Sequence, residues 1–87
     1  MQTKFKRHQL VVLLRDADAE YVEYHNEDEP DFQEIPIQKG MKGRINILLP
    51  NGRYHVEIFD PHDSKKTLAY APFDEEDLEA VKEKLSR

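Results

Sequence analysis

The sequence predicts a small, mainly β domain of about five antiparallel strands, with a long acidic loop and a C-terminal helix. Three observations carry that prediction. Asn51-Gly52 stands between two apolar-rich runs, the strongest short-range sign of a hairpin. Leu10-Val11-Val12-Leu13-Leu14 is a short apolar run with a β-branched pair and polar residues on both sides, which suits a strand better than a helix. Thr67-Leu68-Ala69-Tyr70-Ala71 is a third short run, stopped by Pro72.

Eighty-seven residues leave length for one domain, 1–87. Leu, Ile, Val and Phe make up 22 of them, enough apolar side chain for a folded core. Met1–Arg7 is basic and reads as a flexible start; it lacks the apolar stretch of a signal peptide. Gln9–Arg15 then forms a strand buried on both faces. Tyr21–Tyr24 is at most a short, edge-like strand, with one tyrosine packed and the other exposed. Asn26–Asp31 is a loop, because its charges repel one another and Pro30 cannot donate to a ladder. Ile35-Pro36-Ile37 is extended.

Lys39-Gly40-Met41-Lys42-Gly43 is a tight turn in which either glycine suits a positive φ. It is not a phosphate loop, since no Gly-Lys-Ser/Thr follows. A two-residue turn at Asn51-Gly52 sets Leu49 opposite Tyr54, Ile47 opposite Val56 and Ile45 opposite Ile58, all on one face. A three-residue loop that includes Pro50 breaks this parity, so the shorter turn is preferred. Asp60–Lys66 is a polar turn. Asp74 caps a helix over 74–86, acidic in its first turn, basic at its end, with Leu78, Val81 and Leu85 as its packing stripe.

The charge comes in blocks. The total is −5, from 13 basic and 18 acidic residues. Nine acids and no Lys or Arg lie between Asp16 and Glu34, whereas Lys39, Lys42, Arg44 and Arg53 follow with no acid among them. The acidic segment is the candidate partner surface: Glu27, Asp28, Glu29 and Asp31 supply charge that steers a basic protein, and Tyr24 and Phe32 supply contact area. The alternative is a nucleic-acid face on Lys39, Lys42, Arg44 and Arg53, with Tyr54 or His55 stacking on a base. A negative net charge ranks it second.

Catalysis and cofactors are not expected. The absence of cysteine excludes disulfides, thiolate metal sites and a Cys nucleophile. His8, His25, His55 and His62 are scattered, without metal-ligand spacing. Ser64 and Ser86 sit in no nucleophile elbow. Asp60 and Asp63 flank His62 as turn-capping residues. No apolar run is long enough to span a membrane, and a cytoplasmic protein is the expectation.

The strand order, the entry Gly40-Met41-Lys42-Gly43-Arg44-Ile45 and the strand Tyr54-His55-Val56-Glu57-Ile58 together resemble a small SH3-like barrel. The layout is similar to small bacterial SH3-like domains of unknown function and to the E-type barrels of photosystem I. The resemblance rests on about half of the chain: Leu10–Arg15, Gly40–Phe59 and Thr67–Val81. Signalling SH3 domains carry an Ala-Leu-Tyr-Asp-Tyr stretch and a Trp pair. This chain has neither, so proline-rich peptide binding is not implied. Fold alone assigns no function. The acidic, aromatic-flanked segment Asp16–Glu34 points to a non-catalytic interaction module, one version being an inhibitor or immunity protein that covers a basic active site, and the photosystem-type resemblance implies an accessory component of a larger complex.

Overall fold

A computed structural model describes residues 5–25, 27–30, 32 and 34–81. Among these residues six antiparallel strands form one sheet: β1 (Leu10–Leu13), β2 (Glu23–Tyr24), β3 (Lys42–Leu49), β4 (Arg53–Asp60), β5 (Asp63–Asp74) and β6 (Leu78–Ala80). Their order across the sheet is β2-β5-β4-β3-β1-β6. The edge strands β2 and β6 do not pair with each other, so the ladder is not closed.

The sheet nevertheless curls. β5 and β6 stand four strand spacings apart, about 19 Å across a flat sheet. Only the 3₁₀ turn Glu75–Asp77 joins them, and the chain from Asp74 to Leu78 reaches at most about 14 Å. The end of β1 therefore comes round to the end of β5. Arg15 pairs with Asp77 at 2.7 Å and lies 5.0 Å over the ring of Phe73, and the Leu14 amide donates to the Asp77 carbonyl.

The inner face of this curl holds the core. Val11, Leu13, Ile45, Tyr54, Val56, Ile58, Ala69, Ala71, Phe73 and Leu78 are buried there with Phe5, Ile37 and Leu68. Strand β1 alternates half-buried and buried residues, so it has one core face rather than two. Pro72 does not stop β5. β2 pairs only with Tyr70 and Ala69, which leaves β5 an edge strand beyond them, where proline is tolerated.

The hairpin differs from the two-residue expectation. Pro50-Asn51-Gly52 forms a three-residue 3₁₀ loop, with Asn51 at φ 64° and Gly52 at φ 73°. The register is Leu48 opposite Tyr54 and Ile45 opposite Val56, with a bulge between Ile45 and Ile47. The extra residue in the loop breaks parity and the bulge restores it. Ile45 stays inside, whereas Ile47 turns outward and is 47% exposed. A second irregularity between Ile58 and Phe59 lets Leu68 and Ala69 both face inward.

Two further expectations are corrected. Residues 75–80 form no α-helix: Glu75–Asp77 is a single 3₁₀ turn, Leu78–Ala80 pairs with β1, and Asp74 makes an ion pair with Arg53 at 3.0 Å instead of a side-chain cap. Helical periodicity and dipole-matched charge are weak local preferences, and a free edge on β1 outweighs them. Residues 82–86 of that expected helix lie outside the described residues. Nor are residues 5–7 of the N-terminal stretch loose. Phe5 is in the core, the Arg7 Nε donates to the Asn46 carbonyl at 3.2 Å, and the His8 amide donates to the Ile45 carbonyl at 2.7 Å.

Candidate functional site

The acidic segment is a folded excursion with both arms tied down. The Ala17 amide donates to the Ile37 carbonyl at 3.0 Å, the Lys39 amide to Asp16 Oδ1 at 2.8 Å, and the Tyr24 hydroxyl to the Ile35 carbonyl at 2.8 Å. Asp18 caps the 3₁₀ turn Ala19–Tyr21 by accepting from the Glu20 amide. Ile35-Pro36-Ile37 belongs to no helix or strand and places Ile37 in the core. Of the two tyrosines, Tyr24 packs and Tyr21 is 57% exposed.

Beyond β2 the chain carries Glu27, Asp28 and Glu29, all exposed. Phe32 is half-buried, its ring edge-on to Tyr24 at 5.4 Å, and its amide donates to the Glu29 carbonyl. Asp31 lies outside the described residues. Burial of the Tyr24 phenol, and then the charge of Glu34, raise its pKa above the ordinary value. The structure thus brings Tyr24 and Phe32 together and sets three carboxylates beside them.

The ion pairs among the described residues are Arg15–Asp77, Arg44–Glu57 and Arg53–Asp74. None involves an acid of segment 16–34. Among the described residues, the Lys and Arg that follow the segment in sequence make no contact ion pair with its acids.

The alternative basic face is dispersed. Lys39 and Lys42 are exposed at one end of β3, while Arg53 is in register with Leu49 at the other, about 23 Å away along the strand. Arg44 sends Nε and Nη2 to Glu57 Oε1 and lies 5.8 Å over the Phe59 ring. Tyr54 is 1% exposed, edge-on to Phe5, with its hydroxyl donating to Glu75 Oε2 and accepting from the Phe5 amide. It is a core residue and has no face to offer a base, which corrects that part of the expectation.

The expected turn Asp60–Lys66 is shorter: Pro61-His62 alone links β4 to β5, and 63–66 belong to β5. Asp60 and Asp63 flank that turn, and each accepts from a backbone amide two residues on, that of His62 and Lys65 respectively. Among the described residues no cluster of His, Asp and Glu has a metal-binding arrangement.

The outer face of the sheet carries a network that the sequence did not reveal. His55 stacks on Tyr70 at 5.4 Å, His25 meets Tyr70 edge-on at 6.0 Å, and Glu57 accepts from both Arg44 and Thr67. The signal lay in the hairpin register, since only the three-residue loop together with the bulge between Ile45 and Ile47 sets Arg44 opposite Glu57. Burial alone raises the Glu57 pKa. The hydrogen bonds from Thr67 and Arg44 and the charges of Arg44 and His25 outweigh that and hold it below the ordinary value.

A depressed carboxylate stabilises the fold above its unfolded pKa of about 4.3, and that stabilisation is lost as pH falls through the folded value. The melting temperatures of wild type and Glu57→Gln should therefore differ most at neutral pH and converge below about pH 4. A constant gap down to the acid limit would show that Glu57 carries no such linkage.

Among the described residues no helix is long and apolar enough to cross a membrane. No protein-family model, curated protein or solved structure matches the chain.

Proposed function

We propose that the protein is a cytoplasmic, non-catalytic interaction module that binds a basic protein surface through the acidic segment. One observation carries this reading. Glu27, Asp28 and Glu29 are exposed and, among the described residues, form no ion pair; they lie on a segment whose arms are hydrogen-bonded to the domain, beside the Tyr24–Phe32 pair. Charge without an internal partner raises the encounter rate with an oppositely charged surface, and fixed aromatics supply contact area at low entropic cost. Within this proposal the fold is an SH3-like barrel of the small bacterial kind, supported by the curl that the three-residue link between β5 and β6 requires. An inhibitor or immunity protein covering a basic active site is the specific form we favour. A permanent accessory component of a complex would differ in surviving high salt.

The test is a tagged pull-down from host lysate at low salt, with a second bait in which Glu27, Asp28, Glu29 and Asp31 become Gln or Asn. One protein enriched by the native bait, lost with the neutral bait and weakened by salt is the expected result. Nucleic acid enriched equally by both baits would overturn the reading in favour of the basic residues. A protein retained equally by both would remove the segment from the interface.

A further inference from the structure

The two arms of the acidic segment enclose a cleft of about 210 Å³. Its floor is Ala17, Val22 and Ile37, side chains that belong to or pack against the core. Asp16, Glu34 and Tyr24 also line it. The polar groups of these three present acceptors. Asp16 gives one oxygen to the Lys39 amide and keeps the other. The Tyr24 hydroxyl has committed its proton to the Ile35 carbonyl, which leaves oxygen lone pairs. Glu34 is a carboxylate whose charge is felt at the Tyr24 phenol. No Lys, Arg or His of the described residues pairs with either carboxylate.

Gln38 also lines the cleft, and its amide can both donate and accept. Two carboxylates and a phenol oxygen over an apolar floor suit an alkyl stem ending in a cationic donor group. Arginine fits better than lysine, because its planar fork presents five donors to acceptors spread over several groups. We infer that this cleft receives an arginine side chain of the protein partner, its methylenes on Ala17, Val22 and Ile37 and its guanidinium between Asp16 and Glu34. The inference rests on the proposal that the acidic segment is the binding face. It adds the residue that anchors the partner there, whereas Glu27, Asp28 and Glu29 steer its approach.

The test is an amide-shift NMR titration of the full chain with acetyl-Gly-Arg-Gly-amide, set against the same peptide with citrulline, the neutral isostere. The expected result is saturable shifts at Ala17, Val22 and Ile37 with the arginine peptide only, with millimolar affinity. Asp16→Asn and Glu34→Gln should each weaken binding by roughly fivefold to tenfold, the scale of one charge-assisted hydrogen bond partly exposed to water. Asp16→Asn keeps an oxygen for the Lys39 amide, and unchanged shifts elsewhere report an intact fold.

No saturable shift up to tens of millimolar, equal binding of the citrulline peptide, or shifts that move to Glu27–Glu29 would each overturn the inference. The pull-down reports on the segment's tip and this titration on the cleft, so either can fail alone.

Discussion

Replacing Phe5 by alanine is expected to cost about 3–5 kcal/mol of stability, a large fraction of the total for a domain of this size. Phe5 is 1% exposed and lies edge-on to Tyr54 with ring centroids 5.3 Å apart. Its amide donates to the Tyr54 hydroxyl. Alanine would leave a cavity in the core beside the Tyr54 ring, and rigid neighbouring strands can close it only in part. Urea unfolding of wild type and Phe5→Ala should show a lower midpoint with little change in slope. Truncation of residues 1–7 should cost at least as much. A truncated chain as stable as the full one would mean that Phe5 does not hold its place in solution.

Gly43→Ala is expected to cost about 2–4 kcal/mol, near the upper end of the overpacking range. Gly43 is buried in β3 opposite Ile58, and a Cβ there would overlap the backbone carbonyl oxygen of Glu57 and sit 3.1 Å from Val56 Cγ1. The obstacle is backbone, which cannot swing aside as a side chain can, so relief requires β3 and β4 to separate locally. The Arg44–Glu57 pair is next in that ladder and should loosen with it. Gly40 provides the contrast. It has φ 94° but nothing within 4 Å of the place a methyl would take, so Gly40→Ala costs only backbone strain, about 1–2 kcal/mol. If the two variants are equally stable in denaturant titrations, the close approach at Gly43 is not a constraint on the fold.

These two glycines show how far local reading extends. The turn was legible in its neighbouring residues, with Gly40 and Gly43 as equal candidates for a positive φ, and the structure gives it to Gly40. Gly43 is needed for a different reason, the proximity of a strand fourteen residues further on, and no nearby residue announces it. The aromatic–acidic segment was legible as charge and aromatic content. That its arms are hydrogen-bonded to each other across twenty residues, and so enclose a cleft, was not.

Composition and short-range pattern by themselves determined the β class, the positions of β1, the β3–β4 hairpin and the apolar part of β5, and the uneven charge. Each follows from side-chain period, β-branching or turn residues within a few positions. Tertiary structure decided the rest. It chose the three-residue loop over the two-residue turn, because a bulge at Asn46 could repair the parity. It made a strand of Leu78–Ala80, because β1 had an open edge whose backbone groups needed partners. It drew Phe5 and Tyr54 into the core and left Ile47 outside. In each case several local conformations are close in free energy, and the long-range pairing available to only one of them settles the outcome.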